Sequence, residues 1–280
     1  MKTDKIVFAI FRLVASLTIA FLLFVILYIV KEGIGVINLK FLTANWEHRD
    51  ITKGGIFPAI LGTIYVTVMT AVFSIPLGVG AAIFLNEYAR AGRTVRLIKM
   101  AIRNLAGVPS VVYGLFGLAA FVYFFGFGES IIAASLTLAV MTLPWVITSS
   151  EEALKGVPND FRLASYALGA TKWQTIKNAI LPYALPGVLT GAIIGLARAM
   201  GETAPLLFTG AVFYIRRLPN SPFDRFMSLP YHTYVLATQH ASPYAKTYAA
   251  ATATVLIAIV FIMIASATII RYRYRKARRW

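Results

Sequence analysis

The sequence predicts an all-α integral membrane protein with six transmembrane helices. Of its 280 residues, 59% are hydrophobic and only 14% are charged. This composition is more apolar and less charged than that of a soluble domain. When the chain is divided at its charged residues, neutral runs of about 20 residues remain, which is the length that crosses a hydrocarbon core. Both observations place the chain in a membrane.

Six neutral runs are interpreted as spans of one transmembrane domain. The first follows basic residues, as a signal peptide does, but it is longer than the usual apolar region and no cleavage pattern follows it, so a retained anchor is expected. A further neutral run, 226–245, contains His232, His240 and two prolines and is too polar and broken to span. The expected spans are residues 8–30, 57–85, 104–126, 130–149, 183–213 and 247–270, with a cytoplasmic loop at 150–182.

Lysine and arginine are distributed unevenly between the two sides of these spans. They cluster after the second span, after the fourth span and in the tail after the sixth, whereas the opposite segments mix both signs. The positive-inside rule therefore predicts that both termini are cytoplasmic. The net charge of +16 is explained by this topology signal and by contact with anionic membrane lipid, so no nucleic-acid partner is expected.

The residue content argues against several classes of chemistry. The chain has no cysteine, which rules out disulfides, thiolate metal sites and cysteine nucleophiles. It has no Gly-Lys dipeptide, which a phosphate-binding Walker A loop requires. His48, His232 and His240 are isolated in outer segments, where solvated surface histidines are expected rather than metal ligands. We therefore expect no catalytic residue, no metal site and no enzyme activity in this chain.

Arg198 and Glu202 lie within the otherwise apolar fifth run. A charge at the centre of a bilayer costs roughly 2.5 to 3.5 kcal/mol, so the pair is expected to face protein or water. At 100° per residue, both charges share a helix face with Gly191 and Gly195, and small residues four apart allow close helix packing. The pair is therefore predicted to face the bundle interior, on a helix that Pro205 bends. Both a structural bridge that fixes helix register and a functional site are consistent with this pattern.

The cytoplasmic segment 150–182 has recognisable helix signals. Pro158 suits the first turn of a helix, and Gly169 offers a left-handed stop after Leu168. Thr171 and Gln174 form a capping box for a second helix, which is expected to end at Leu181 before Pro182. The segment is thus predicted to be a helix, a glycine elbow and another helix, exposed on the inside. An ordinary interfacial loop and a rigid docking element both fit this description.

The stretch from Ser165 to Pro182 resembles the EAA loop of ABC importer permeases. That pattern reads Glu-Ala-Ala, three residues, Gly, nine residues, Ile, one residue, Leu-Pro, and it is matched in register by Ala164, Gly169, Leu181 and Pro182. Three positions depart from it, namely Leu163, Ser165 and Ala179. The resemblance implies that the loop docks on a cytoplasmic ATPase. The residues that it assigns to this coupling are Arg162, Ala164, Ser165, Leu168, Gly169, Ala170, Leu181 and Pro182.

Two further stretches narrow the resemblance. Leu105-Ala-Gly-Val-Pro-Ser-Val-Val-Tyr-Gly-Leu-Phe-Gly117 and Ala197-Arg-Ala-Met-Gly-Glu-Thr-Ala-Pro-Leu-Leu-Phe-Thr-Gly210 are similar to the phosphate-specific ABC permeases. The part that begins at Glu202 is more like the PstA-type subunit than its PstC-type partner. The similarity implies a type I ABC importer permease of MetI-like architecture, a six-helix half-pore in the cell inner membrane. Its implied partners are a second, PstC-like permease subunit, two ATPase subunits that bind ATP and Mg, and an external phosphate-binding protein.

The implied function is ATP-driven import of inorganic phosphate, with Arg198, Glu202 and Thr203 on the translocation path. Arg198 would offer its planar fork of donors to a tetrahedral oxyanion. Glu202 would balance the charge of the empty site or accept the proton of hydrogen phosphate. One alternative is a permease for sulfate, molybdate or tungstate. Another is a membrane channel or sensor gated by the Arg/Glu pair, which would need neither an ATPase nor an external binding protein.

Overall fold

The computed structural model describes residues 2–47, 50–90 and 92–277, and the side chains within these ranges from residue 7 to residue 273. The described chain is helical, and its only β-type pairing is an isolated bridge between Ala211 and Phe226. The helices are α1 (Lys2–Gly33), α2 (Leu39–Thr43), α3 (Phe57–Ile83), α4 (Arg93–Leu105), α5 (Ser110–Gly117), α6 (Ile131–Lys155), α7 (Asn159–Ala167), α8 (Lys172–Thr175), α9 (Leu181–Met200), α10 (Ala204–Thr209), α11 (Leu229–Thr238) and α12 (Ala245–Ala277). Wider π-helical turns extend α3 over Phe84–Tyr88 and α5 over Leu118–Phe124, and another joins α8 to α9 over Ile176–Ile180.

The apolar helices match the predicted number of spans. In the described residues, five helical stretches are long and apolar enough to cross a membrane, and one bent pair brings the number to six. The five are Val7–Val36, Phe57–Tyr88, Ile131–Lys155, Lys172–Met200 and Ala245–Arg273. The pair is Arg93–Leu105 with Ser110–Phe124, and its two helices meet at 101°. The all-α membrane architecture is therefore confirmed. The expected third span, 104–126, is not one straight helix, because α4 ends at Leu105, Pro109 cannot continue it and the next helix begins at Ser110.

Helices α3, α6 and α9 form the centre of the bundle, and α6 is the most deeply buried of them. Small and hydroxyl-bearing side chains let the backbones approach each other, as membrane bundles require. Gly78 of α3 faces Val146 of α6, and the hydroxyl of Thr70 donates to the carbonyl of Ser135. Helix α1 lies at the periphery and packs mainly against α12, where Gly33 lies close to the backbone of Ala250 and Ala251.

The predicted end of a helix at Leu181 is wrong. Helix α8 continues into α9 through the π-helical turn, so that one helical stretch runs from Lys172 to Met200. In this turn the amide of Leu181 donates to the carbonyl of Ile176, one residue further back than in an α-helix. Such a widened turn lets the chain accept Pro182 in the first turn of α9, where the missing donor costs little.

The rings of Trp46, Phe213 and His232, which come from separate segments, contact one another. The ring of His232, in α11, stacks on Phe213 at 4.7 Å and meets Trp46 edge-on at 4.3 Å. His232 and Trp46 are almost completely buried, so the expected solvated histidine is wrong at this position, because aromatic neighbours from two distant segments cover it. The half-exposed His240 instead accepts a hydrogen bond from the amide of Ser242, and His48 lies outside the described residues.

The burial of His232 predicts a loss of stability in mild acid. Burial, with a smaller contribution from nearby His240, lowers the pKa of His232 from 6.5 to about 3. Because the unfolded chain takes up this proton first, stability is complete above pH 6.5 and falls as the pH drops toward 3. At pH 5 the folding equilibrium should be weaker by roughly thirtyfold from this group alone. Thermal unfolding of the detergent-solubilised chain at pH 7.5 and pH 5 measures the effect.

The matched comparison uses His232→Phe, which keeps the aromatic contacts but cannot be protonated. This variant should lose less stability between pH 7.5 and pH 5 than the parent. The His240→Phe variant should keep the parental pH dependence. Equal acid sensitivity of the parent and His232→Phe would show that His232 is not the responsible group.

Candidate functional site

The stretch that carries Arg198, Glu202 and Thr203 is a break between two helices. Helix α9 ends at Met200, and after Gly201 the amide of Glu202 still donates to the carbonyl of Ala199 at 3.2 Å. Thr203 then precedes α10, a helix of only six residues. The predicted continuous span 183–213, bent at Pro205, is thus replaced by a long helix and a short one. Pro205 lies in the first turn of α10, where its missing donor is tolerated.

Gly187, Gly191 and Gly195 form one face of α9, here called the glycine face. This face packs directly on another helix, α6, as the spacing of the small residues predicted. A Cβ placed on Gly187 would lie 2.7 Å from Cβ of Ala153, and one on Gly195 would lie 2.9 Å from Cγ2 of Thr142. Gly191 comes closest of the three, against the side chain of Ser149. Any larger residue at these positions would separate the two helices. This contact therefore sets where the end of α9, and with it Arg198, lies relative to α6.

Arg198 extends past this contact and is not enclosed by the bundle. Its side chain is 50% exposed, whereas that of Glu202 is 16% exposed. Nε of Arg198 lies 3.5 Å from Oε1 of Glu202, and the guanidinium carbon lies 5.4 Å from the ring centre of Trp145 on α6. The expectation that the pair faces the interior is therefore correct for Glu202 and wrong for Arg198, because the long arginine side chain reaches out over Trp145.

The geometry argues against a purely structural bridge. Arg198 lies in the last turn of α9 and Glu202 lies just after its end, so their ion pair does not join two helices and cannot fix helix register. Among the described residues, Glu202 is the only acidic side chain within ion-pairing distance of Arg198. The two terminal guanidinium nitrogens of Arg198, Nη1 and Nη2, are therefore left to interact with a further group. In a membrane, an exposed guanidinium must face water or another protein surface.

The two stretches that resembled phosphate-specific permeases are in contact. A Cβ on Gly114 of α5 would lie 2.7 Å from Cδ2 of Phe208 and 3.0 Å from Cα of Pro205, both in α10. The hydroxyl of Tyr113 donates to the carbonyl of Leu105 at 2.9 Å, which ties α5 back to the end of α4. The short helix α10 therefore rests on α5, and the break that holds Glu202 and Thr203 is supported from one side by α5 and from the other by α6.

The inner segment 158–175 forms the predicted helix, elbow and second helix. Gly169 has a φ of +77°, the left-handed conformation that favours glycine. Thr171 and Gln174 form the capping box, with the amide of Thr171 donating to Oε1 of Gln174 at 2.8 Å. The elbow carries unusually exposed apolar side chains, namely Leu163, Tyr166, Leu168 and Trp173. An exposed apolar patch on a rigid element is typical of a protein-docking surface.

Seven of the eight residues assigned to coupling fall into three groups. Ala164, Leu168 and Gly169 are exposed and Ala170 is half-buried, so they can contact a partner. Ser165 is turned inward, and its hydroxyl lies 2.8 Å from that of Thr175, which joins α7 to α8. The remaining two, Leu181 and Pro182, lie inside the continuous helix and not at the end of a loop.

Arg162, the eighth of these residues, is largely covered and forms an ion pair within the protein. Its Nη2 lies 2.7 Å from Oε1 of Glu87 at the end of α3, and the two side chains are only 16% and 7% exposed. Arg162 also donates to the carbonyls of Val157 and Leu154. Sequence reasoning missed Glu87, although the Asn86-Glu-Tyr stretch at the end of the second span was noticeable as a polar interruption. Among the described residues, no group of three or more metal-binding side chains is found.

The pattern of the family described as "Binding-protein-dependent transport system inner membrane component" matches residues 74–276. The chain belongs to this permease family. Among its relatives is the probable ABC transporter permease protein YqgI of Bacillus subtilis, 37% identical over 75% of this chain and 71% of that protein.

Other relatives of this permease carry a more specific name. The probable phosphate transport system permease protein PstA of Methanocaldococcus jannaschii is 34% identical over 84% of this chain and 82% of that protein. The PstA protein of Mycobacterium leprae is 40% identical over 66% of this chain and 60% of that protein. The resemblance to PstA-type permeases is thereby confirmed. Several curated relatives, including the Mycobacterium leprae protein, are matched over less than two thirds of their own length.

Solved structures share the fold of this permease at low sequence identity. The inward-facing MetNI methionine ABC transporter matches with a TM-score of 0.64 and 20% identity, over 77% of this chain and 94% of that chain. A bacterial ABC transporter that imports the polysaccharide alginate matches with a TM-score of 0.61 and 14% identity, over 92% of this chain and 95% of that chain. The MetI-like architecture is therefore confirmed, and the chain is a multi-pass component of an inner membrane.

Because Glu87 pairs with Arg162 of α7, we predict that replacing Glu87 loosens this helix. Glu87→Gln leaves the guanidinium of Arg162 partly buried without a counter-charge, which costs more than the intact pair contributes. The backbone amides of residues 159–167 should then exchange with solvent about tenfold faster or more, measured by hydrogen–deuterium exchange on the detergent-solubilised permease.

A second carboxylate provides the control for this experiment. Glu129 pairs with Arg225 on the outer surface, where both side chains are largely exposed, so Glu129→Gln should leave the exchange of residues 159–167 unchanged. If Glu87→Gln also leaves that exchange unchanged, the buried pair does not hold α7 in place.

Proposed function

We propose that this chain is the PstA-like permease subunit of an ATP-driven importer of inorganic phosphate. The observation that carries the proposal is the half-exposed Arg198, held over Trp145 at the end of α9 and paired on one side only with Glu202. A guanidinium in this position, within a membrane domain, needs a second protein surface to complete a water-filled path. The names of the PstA relatives support phosphate as the transported anion.

The proposal includes the partners of such an importer. The chain supplies one half of the pore, and a PstC-like permease supplies the other. Two cytoplasmic ATPase subunits bind ATP and Mg and hydrolyse the nucleotide, an external phosphate-binding protein delivers the anion, and this chain itself is not catalytic. The unequal distribution of Lys and Arg supports an orientation with both termini in the cytoplasm.

In the proposed site, each of the three residues has a separate task. Arg198 binds two oxygens of the oxyanion through its planar donors, because guanidinium geometry matches a tetrahedral oxyanion. Glu202 balances the charge when the site is empty and accepts a proton from hydrogen phosphate. Thr203 lies at the start of α10 without capping it, so its hydroxyl is available to the anion.

A second candidate is a permease for sulfate, molybdate or tungstate. Glu202 distinguishes it from the first, because hydrogen phosphate can donate a hydrogen bond to a carboxylate, whereas sulfate at neutral pH has no proton to donate and is repelled. The partly buried Glu202, 16% exposed beside the arginine, favours phosphate over these fully deprotonated anions.

The site predicts graded effects of substitution at Arg198. Arg198→Lys keeps the charge but loses the bidentate fork, and Arg198→Ala removes both, so uptake of labelled phosphate should fall in that order, by about tenfold or more for alanine. Uptake is measured in vesicles that contain the assembled transporter. Arg225→Ala, which breaks the exposed outer pair with Glu129, is the matched control and should transport normally.

Glu202→Gln tests selectivity in the same vesicles, with a transporter variant that does not depend on the external binding protein. Loss of the repelling charge should raise sulfate uptake relative to phosphate uptake. An unchanged ratio combined with loss of transport in Arg198→Ala would make Glu202 a counter-ion only. Normal phosphate uptake by Arg198→Ala would contradict the proposed translocation site itself.

Coupling to the ATPase predicts a specific defect at the elbow. A valine at Gly169 would have to adopt φ near +77°, which costs a residue with a Cβ about 1 to 2 kcal/mol, although nothing lies within 4 Å of the added Cβ. Gly169→Val should insert into the membrane but lose ATPase association and ATP-driven uptake.

Gly35 offers a control with equal space and ordinary backbone geometry, since nothing lies within 4 Å of a Cβ there either. Gly35→Val should therefore assemble and transport like the parent. Full ATPase association of Gly169→Val would contradict the role of the elbow, whatever the transported anion.

A further inference from the structure

Helix α4 has the geometry of a helix that lies on a membrane surface. Its axis makes an angle of 101° with the following helical stretch Ser110–Phe124, which is apolar and part of the candidate third span. If that stretch crosses the membrane, α4 runs nearly parallel to the bilayer plane. Helix α4 also begins in the basic segment after the second span, which the distribution of charges assigns to the cytoplasmic side.

The residues of α4 are divided between a cationic face and an apolar face. At 100° per residue, Arg93, Arg96, Lys99 and Arg103 fall within an arc of about 120°, and Ile98 and Leu105 lie opposite the middle of that arc. Ile98 is 41% exposed and Leu105 is 44% exposed, so the protein itself does not cover this apolar face. An amphipathic helix with basic residues on its polar face is typical of interfacial membrane binding.

Contacts with the bundle fix the orientation of α4. Val95 and Ile102, on one flank, pack against the inner part of the core. Beside them, Nζ of Lys99 lies 2.5 Å from Oε1 of the buried Glu151 on α6. With this flank held by protein, the cationic face and the exposed apolar face cannot rotate away from their positions.

The three arginines of α4 make no ion pair in the part of the chain that the structure describes. Among the described residues, no acidic side chain lies within ion-pairing distance of Arg93, Arg96 or Arg103. They line an open groove of about 630 Å³ between α4 and the end of α3, where Asn86 and Ala89 form the opposite wall. The groove thus combines fixed positive charge with space for an anionic group of moderate size.

We propose that this groove binds the headgroup of an anionic phospholipid from the cytoplasmic leaflet. The headgroup phosphate interacts with Arg93 and Arg96. The acyl chains pass over the exposed Leu97, which lies about 40° from Arg93 around the helix, and reach the apolar face at Ile98 and Leu105. A free anion would use the arginines but has no need of an exposed apolar face on the same helix, which is why a lipid fits better. Cytoplasmic leaflets carry anionic lipid that basic segments attract, by about 1 kcal/mol for each Lys or Arg. This inference does not depend on which anion the permease transports.

Native mass spectrometry of the full chain in detergent, titrated with phosphatidylglycerol or phosphatidylcholine, tests the proposal. The parent should retain phosphatidylglycerol in preference to phosphatidylcholine. The Arg93→Gln/Arg96→Gln variant should bind phosphatidylglycerol about thirtyfold more weakly. Arg93→Lys/Arg96→Lys keeps both charges and should retain most of the binding. The control Arg216→Gln/Arg217→Gln removes two exposed charges from the outer segment and should bind like the parent.

Three results would overturn the proposal. The first is equal binding of phosphatidylglycerol by the parent and by Arg93→Gln/Arg96→Gln. The second is equal retention of the two lipids by the parent, since charge would then play no part. The third is complete displacement of phosphatidylglycerol by millimolar inorganic phosphate, which would identify a site for a free anion. Weakened phosphatidylglycerol binding in Ile98→Ser/Leu105→Ser would support the proposed contact with the acyl chains.

Discussion

The contact between the glycine face of α9 and α6 is the constraint on which the rest of the structure depends. Gly187, Gly191 and Gly195 have no side chains to separate the two helices, so α9 lies directly on the most buried helix of the bundle. Because the helical stretch Lys172–Met200 is uninterrupted, this contact positions both of its ends at once. One end begins just after the Gly169 elbow, and the other end carries Arg198, about 40 Å away at 1.5 Å per residue. The elbow and the arginine are therefore connected by one continuous helical stretch.

Ion pairs to two carboxylates, Glu87 and Glu151, hold helices α7 and α4 on this bundle. Glu87 holds Arg162 of α7, and Glu151 holds both Lys99 of α4 and Lys155 of its own helix. Removing one partner of such a pair is costly, because the remaining charge stays partly buried without compensation. Ion pairs thus hold α7, which precedes the elbow, and α4 on the bundle, whereas close packing holds the spans together.

Local sequence signals predicted local structure well. The number of apolar stretches, the left-handed Gly169 and the capping box of Thr171 and Gln174 are all confirmed, because each depends on residues adjacent in the chain. The same reasoning was wrong at Leu181, where a π-helical turn accommodates Pro182 and the helix continues. It was also wrong for His232, which contacts Trp46 and Phe213 and is buried, and it did not anticipate that Arg162 pairs with Glu87. These partners are far away in the sequence, and no local sequence pattern predicted the contacts.

The sequence by itself determined that the chain is a bundle of membrane helices, because the length and apolarity of each run leave few other options in a bilayer. It also placed a charged pair in the fifth run and a rigid elbow before it. Only the tertiary structure decided that Arg198 points outward over Trp145 while Glu202 is largely covered. It also decided that α4 lies at 101° to the next helix, with three arginines that pair with no acidic side chain among the described residues. The physical reason is that side-chain exposure and helix direction depend on which distant helices are in contact, and packing between helices is not encoded in any single run.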